Sequence, residues 1–140
     1  MPRGGGKTVD VARKGAPLYL AKADQFLAEA ADATQASRHD AAMLNAIHAA
    51  ISAADAVSVA LSGRRSADPD HGRAADLLEQ VAGSSGEIRT RVRQLRALLA
   101  RKNAVEYESR RATAKEGADA VARAARIVAW AGETLRRARL

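Results

Sequence analysis

The chain has 140 residues, a formal net charge of +7 and no cysteine, so disulfide bridges and cysteine-ligated metal centres are excluded. This length predicts a single domain with one core. Hydrophobic residues make up 47% of the chain and aromatic residues only 3%, a balance rich in alanine and leucine that favours an all-α fold.

The N-terminal 16 residues are glycine-rich and basic, and predict a flexible arm ahead of one domain at 17–140. Gly6, Lys7 and Thr8 are similar to the end of a phosphate-binding loop, but the earlier glycine and the preceding strand of that motif are missing. No apolar segment follows the basic residues, so we do not expect a secretory signal. Together with the lack of cysteine, this favours a cytoplasmic protein.

Five helices are predicted in chain order. Pro17 opens the first, which runs to about Thr34. Ser37, with Asp40 three residues later, begins the second, and Gly63 is a natural residue to end it.

The other three helices are also marked at their starts. Asp68 and Pro69 begin a short third helix that ends near Ala82. Two S/T-x-x-E capping boxes begin the last two helices: Ser84 with Glu87, and Thr113 with Glu116. No alternation long enough for a strand occurs. The expected fold is an all-α antiparallel bundle of four longer helices plus one short helix.

Apolar spacing predicts which helix faces form the core. The residues of this kind on the fourth helix are Ile88, Val92, Leu95 and Leu99, and those on the fifth are Ala118, Val121, Ala125, Val128 and Leu135. The aromatic residues expected to pack inside are Tyr19, Phe26 and Trp130.

Positive charge is concentrated toward the C-terminal end. Residues 83–140 carry a net charge of +8, residues 18–82 carry −4, and residues 1–17 carry +3. On the fourth helix, Arg89, Arg93 and Arg96 form a stripe beside the apolar positions. Such a stripe is able to follow the phosphates of RNA, and it is also typical of a solvated helix face. Both explanations stay open here.

The second helix lacks a charged face. From Ala41 to Ser62, the only formally charged residue is Asp55. A helix of this kind is normally covered on most sides, so it is either the central helix of the bundle or part of a dimer interface. A membrane span is disfavoured, because alanine is weakly apolar and Asn45 and His48 would be costly in lipid.

Four polar side chains form one narrow stripe on this second helix: Asn45, His48, Ser52 and Asp55. Polar groups near a core need partners. We therefore expect an ion pair between Asp55 and Arg101 that holds the guanidinium beside a shared cleft. The alternative is a hydrogen-bonded network that only fixes the register of the helices.

The most informative run is residues 101–107 (RKNAVEY), where a basic helix is expected to end and a polar loop to begin. Arginine suits phosphate, asparagine suits a base edge, and tyrosine stacks on bases. The ligand-binding candidates are Arg101, Lys102, Asn103, Tyr107, Arg64, Arg65 and His71. For Tyr107 the preferred interpretation is nevertheless packing, with its ring tucked under the loop.

Four segments in this order resemble the HEPN-domain family, and in particular its uncharacterised actinobacterial branch. They are residues 18–23 (LYLAKA), 46–51 (AIHAAI), His71, and 98–107 (LLARKNAVEY). The resemblance spans about residues 18–137. It implies a small helical bundle that forms a homodimer and acts in toxin–antitoxin, defence or nucleotide-binding contexts.

Ribonucleases of that family carry a histidine after the arginine with four to six residues between the two, and this chain departs from the pattern. The residues five, six and seven positions after Arg101 are Glu106, Tyr107 and Glu108. The expected function is therefore non-catalytic binding of RNA or a nucleotide, without a metal or other cofactor. The alternatives are a metal-independent ribonuclease toxin, with Arg101, Tyr107 and His48 as catalytic candidates, and an interaction module that partners a nucleotidyltransferase.

Overall fold

Helices dominate residues 6–140, the part of the chain that this computed structural model describes. The α-helices are α1 (Ala16–Gln35), α2 (His39–Ser62), α3 (Gly72–Ala82), α4 (Gly86–Leu99), α5 (Lys102–Tyr107) and α6 (Ala114–Arg137). The strands are β1 (Thr8–Asp10) and β2 (Arg64–Ser66). The all-α class is confirmed in its main features. The predicted fifth helix corresponds to α6, and α5 occupies the run where a loop was expected.

The central element of the bundle is α2. It packs against every other α-helix of the chain, most extensively against α1 and α6. Alanines such as Ala46, Ala50 and Ala53 are fully buried, and their small side chains let neighbouring helices approach closely. Although α2 is long and apolar enough to cross a membrane, 61% of that segment is buried inside the bundle. The prediction of a central helix is therefore confirmed.

The buried face of α6 differs from the predicted one by about one residue. Ala118 is exposed, whereas Ala120, Ala124 and Ile127 are buried. Alanines lie on both sides of this helix, so composition alone does not define its inner face. The larger Trp130, which is only 8% exposed, packs into the core as expected.

The N-terminal segment is structured where an arm was predicted. Strand β1 pairs antiparallel with β2, with Val9 opposite Arg65. The side chain of Arg13 then donates a hydrogen bond from Nε to the carbonyl of Ala60 at 2.6 Å. The expectation of a flexible arm without strands is thus corrected from residue 8 onward, while residues 1–5 lie outside the described part. Three-residue strands are too short to show alternation, and the partner is far away in sequence.

Some predicted helix ends are confirmed. Gly63 ends α2 in the left-handed conformation with φ of 68°, which a glycine adopts without steric strain. Thr113 and Glu116 form the reciprocal capping box at the start of α6. Both signals act within a few residues of the chain, so they can be predicted from the sequence without knowledge of the fold.

Other helix starts are displaced. The side chain of Ser85, one residue after the predicted Ser84, caps α4 by accepting from the amide of Ile88 at 3.4 Å. Arg38 replaces Ser37 at the start of α2. The carboxylate of Asp40 accepts instead from the distant amide of Ala112 at 2.7 Å.

The loop before α3 uses its aspartates in turns, so α3 begins at Gly72 and not at Pro69. The Asp68 carboxylate accepts a hydrogen bond from the amide of Asp70, and the Asp70 carboxylate accepts one from the amide of Gly72, both at 2.9 Å. Such side-chain bonds to nearby backbone favour turns over helix. The resulting loop places His71 at the N-terminus of α3.

Candidate functional site around α5

The helix α5 divides the run 101–107 between two environments. Its backbone follows directly on α4, with the amide of Val105 donating to the carbonyl of Arg101 at 3.1 Å. Val105 packs against the hydrophobic core and so anchors the helix. Residues four apart share a helix face. Arg101 therefore shares the face of Val105, while Lys102 with Glu106, and Asn103 with Tyr107, form the other side.

A cleft of about 550 Å³ lies between this other side of α5 and the loop before α3. Its α5 wall consists of Lys102, Asn103, Glu106 and Tyr107. The opposite wall includes Pro69, Asp70, His71 and Gly72, and Leu99 also lines it. A volume of this size falls within the range of about 300–1,000 Å³ that small-molecule sites occupy. We call this the α5 cleft.

An ion pair forms part of the α5 wall. The Nζ atom of Lys102 lies 2.7 Å from Oε1 of Glu106, and each side chain is 18% exposed. The hydrogen bond from Lys102 is the main reason that the pKa of Glu106 lies below its usual range. Glu106 is therefore an ionised hydrogen-bond acceptor at neutral pH.

The ring of Tyr107 projects from the wall with 79% of the residue exposed. The preferred prediction, packing under the loop, is wrong, because α5 ends here and the chain continues in an extended conformation at Glu108. Asn103, one turn earlier, is exposed as well. The cleft thus has an open aromatic face beside an amide.

Two histidines belong to this region. His71 lines the cleft directly. His48, on α2, is half-buried with its ring 5.6 Å from that of Phe26. Burial lowers the pKa of His48, and the nearby charge of Lys102 lowers it further, so its imidazole is neutral at pH 7. Electrostatic interactions of His48 with Lys102, Glu106 and His71 place it next to the cleft.

The guanidinium of Arg101 is engaged elsewhere. It pairs with the carboxylate of Glu116, which also accepts two hydrogen bonds from Arg110, each 3.0 Å long. The amide of Thr113 donates to the same carboxylate at 3.0 Å. Hydrogen bonds from Arg110, Thr113 and Arg101, in that order, hold the pKa of Glu116 far below its usual range. We call Arg101, Arg110 and Glu116 the arginine cluster.

The expected pair of Asp55 and Arg101 is wrong, since Arg101 pairs with Glu116. Asp55 interacts electrostatically with Arg65 on β2 and Lys22 on α1. Burial raises its pKa to about 7, more than those two cations lower it. The carboxyl of Asp55 is therefore about half protonated at neutral pH, and it belongs to neither side of α5.

The polar stripe of α2 does not act as one network. Asn45 donates to the carbonyl of Ala41 in its own helix at 2.9 Å, and Ser52 is half-buried. His48 lies beside the cleft, whereas Asp55 lies two turns further along α2. Because each helical turn advances the chain by about 5.4 Å along the helix axis, His48 and Asp55 are well separated along α2.

The remaining arginine candidates lie outside the cleft lining. Arg64 and Arg65 are in β2, where Arg65 donates to the carbonyl of Ser66 at 3.0 Å. On α4, Arg89 and Arg93 are exposed, as a phosphate-following stripe or a solvated face requires. Arg96 pairs with Asp76 of α3 at 2.9 Å.

Glu106 and Asp70 line the cleft but were not among the site residues predicted from the sequence. The signal for Glu106 was its spacing of four residues from Lys102, which places the two on one helix face. Asp70 had no such signal, since its position depends on the fold. Among the described residues, no group of three or more His, Cys, Asp or Glu is arranged to hold a metal ion.

Chemically, the α5 cleft suits a nucleobase better than a chain of phosphates. The charge of Lys102 is matched by Glu106, and Asp70 adds a further carboxylate. Stacking on Tyr107 and hydrogen bonding to polar side chains remain available to a flat heterocycle. Comparison of the chain with protein-family models, with curated proteins and with solved structures finds no match.

Proposed function

We propose that this protein binds single-stranded RNA or a nucleotide at the α5 cleft without cleaving it. The observation that carries the proposal is the ring of Tyr107, 79% exposed at the edge of a polar cleft. Of the large hydrophobic residues exposed in the described part, Tyr107 has the highest exposure and is the only aromatic one. Exposed aromatic rings in polar grooves bind bases by stacking.

The distribution of charge supports the same ligand. The chain carries +7 overall, and Arg89 and Arg93 are exposed on α4, the helix that leads directly into α5. Arg111, in the segment after α5, is exposed as well. These cations attract phosphates, while the cleft, with its charges matched, takes the base.

The proposal includes an HEPN-like arrangement of the bundle and a homodimer, both of which rest on the resemblance of residues 18–137 to that family. Light scattering tests the dimer: a molar mass of twice 14.7 kDa supports it, and a mass of 14.7 kDa contradicts it.

Fluorescence anisotropy with a labelled single-stranded RNA tests the binding function. We expect an affinity that falls steeply between about 50 and 200 mM salt, because phosphate contacts release counterions. The variant Tyr107→Ala should bind weakly. Leu18→Ala is the matched control, since Leu18 is 70% exposed on α1. Undetectable binding, or equal losses in the two variants, contradicts the proposal.

A second candidate, metal-independent RNA cleavage, is favoured by one observation. His71 lines the cleft, and His48 interacts electrostatically with His71. Two neighbouring imidazoles are able to act as general base and general acid on a 2′-hydroxyl and a leaving oxygen.

Incubation of labelled RNA in the presence of a metal chelator, followed by gel electrophoresis, separates the two candidates. Fragments with the wild type and none with His71→Asn support cleavage. Intact RNA supports binding alone. Fragments that persist in the double variant His48→Gln/His71→Asn indicate a contaminating nuclease.

A further inference from the structure

The pair of Lys102 and Glu106 differs from the other ion pairs between residues four apart in the described chain. Each of its two side chains is 18% exposed. In the pair of Lys115 and Asp119 the side chains are 84% and 53% exposed, and in the pair of Arg137 and Glu133 they are 74% and 46% exposed. The latter two pairs lie in solvent. The first forms part of the wall of a cavity.

This wall presents hydrogen-bonding groups in a defined order. The ammonium of Lys102 has three N–H donors and uses one of them on Oε1 of Glu106. The ionised carboxylate of Glu106 has about four lone-pair sites. It accepts hydrogen bonds from Lys102 and from the hydroxyl of Tyr107, so part of its acceptor capacity remains for a ligand. A ligand in the cleft therefore meets a donor followed by two acceptor oxygens.

The pairing edge of guanine is complementary to that order. It presents the O6 acceptor, then the N1–H and N2–H donors. Adenine and cytosine each begin with an amino donor that would face the ammonium, followed by a ring nitrogen acceptor that would face the carboxylate. Uracil matches two of the three groups, because its O4 accepts and its N3–H donates. Hydrogen-bond matching of this kind discriminates between bases by roughly tenfold or more.

We propose that the α5 cleft selects guanine, with Tyr107 stacked on the base, Glu106 accepting from N1–H and N2–H, and Lys102 donating to O6. This inference rests on the proposed binding function and narrows its ligand. Lys102 and Glu106 form the edge-reading pair, and Tyr107 and Asn103 lie on the adjacent face of the same helix. This arrangement requires the phosphates of the ligand to lie outside the cleft, because the carboxylate of Asp70 on the opposite wall would repel them.

Competition experiments test the base preference. The competitors of a bound labelled RNA are four nucleotides that carry the same phosphate: guanosine, uridine, adenosine and cytidine 5′-monophosphate. We expect the guanine nucleotide to compete about tenfold better than the adenine or cytosine nucleotide, with the uracil nucleotide between them. A parallel series uses unlabelled RNA oligomers of one length that differ in a single central base.

The variant Glu106→Gln is the sharpest test, because glutamine has nearly the same shape but offers one acceptor and one amino donor. That arrangement fits the amino donor and ring-nitrogen acceptor of adenine and of cytosine, so we expect the guanine preference to vanish or to change to one of these two bases. Asp119→Asn is the matched control: it neutralises the carboxylate of a solvent-exposed pair and should leave the base preference unchanged. Circular dichroism and thermal unfolding confirm that both variants are folded.

Each outcome discriminates. Equal competition by the four nucleotides, while RNA still binds in a Tyr107-dependent manner, overturns guanine selection and leaves the proposed function intact. Absence of RNA binding, together with absence of heat on titration with guanosine monophosphate, overturns both. Competition by guanine-containing oligomers but not by the mononucleotide assigns the guanine to RNA. A guanine preference that survives in Glu106→Gln removes Glu106 from the recognition.

Discussion

The two sides of α5 carry similar residues but have different roles: one lines a cleft, and the other joins α5 to other segments of the chain. On the cleft side, Lys102 and Glu106 form a pair within one helix and keep polar atoms directed at an open cavity. On the other side, Arg101 pairs with Glu116 of α6, which also binds Arg110. Both sides are basic and polar in sequence. They differ in whether their charges meet partners from other segments of the chain.

The two glutamates show the difference most clearly. The pKa of Glu106 is lowered mainly by one lysine of its own helix. The pKa of Glu116 is lowered by Arg110 after α5, by the amide of Thr113 at the start of α6 and by Arg101 before α5. The arginine cluster therefore ties three segments together, and the cleft side remains available to a ligand. This division into a structural side and a binding side means that substitutions on the two sides should have separate effects, on stability and on RNA affinity respectively.

The largest expected effect belongs to Asp55, which lies on neither side. The pKa of Asp55 is about 7 in the folded protein, against an ordinary value of 3.8. At pH values between these two, the folded state holds a proton that the unfolded state has released. Stability therefore falls as the pH rises from about 4 to 8, by on the order of 4 kcal/mol from this group. Asp55→Asn should be more stable than the wild type at pH 8 and similar to it at pH 4.

Chemical unfolding of both proteins at the two pH values measures the effect, and the difference between them cancels the other titrating groups. RNA affinity should be unaffected by Asp55→Asn at pH 8. Parallel stability curves would show that the carboxyl of Asp55 is not shielded from water. A loss of affinity would connect Asp55 to the cleft after all.

Removal of the Tyr107 ring should have the next largest effect, and only on binding. Base stacking on an aromatic residue contributes about 1–3 kcal/mol, so Tyr107→Ala should weaken RNA affinity by roughly 5- to 150-fold. Stability should change little, because the ring is 79% exposed. Tyr107→Phe, which keeps the ring, should retain most of the affinity. If the phenylalanine and alanine variants lose affinity equally, stacking is not the interaction.

On the opposite side, loss of the α6 capping box should affect stability and not binding. Thr113 accepts from the amide of Glu116 at 3.1 Å, and Thr113→Ala removes this bond. We expect a loss of about 1 kcal/mol in the free energy of unfolding. Thr113→Ser, which keeps the hydroxyl, is the control. A weakened RNA affinity in a folded Thr113→Ala protein would mean that the two sides of α5 are coupled.

The smallest expected effect is that of Arg101 on RNA affinity. Because its guanidinium pairs with Glu116, Arg101→Ala should lower the melting temperature slightly and change the affinity by less than about threefold at moderate salt, as the loss of one positive charge near a polyanion implies. Arg93→Ala, on an exposed residue of α4, is the comparison. If Arg101→Ala weakens RNA affinity far more than Arg93→Ala does, Arg101 contacts the ligand, and the two sides of α5 are not functionally separate.

Features that act over a few residues were predictable. The end of α2 at Gly63 and the start of α6 at Thr113 depend on backbone conformation and hydrogen bonds within one turn, and both are confirmed. The uncharged run of α2 predicted a central position, because a helix without a charged face must be covered. His71, Lys102, Asn103 and Tyr107 were candidates for the site, and all of them line one cleft.

The helical class, two of the helix ends and the central position of α2 were predictable from the sequence, since they follow from local bonding and from the pattern of apolar residues. The pairing of β1 with β2, the ion pair of Arg101 with Glu116 instead of Asp55, and the exposure of Tyr107 became evident from the three-dimensional arrangement of the chain. These outcomes depend on which distant segments approach each other. In an alanine-rich bundle many packing faces look alike in sequence, so the apolar pattern alone does not specify which of them meet.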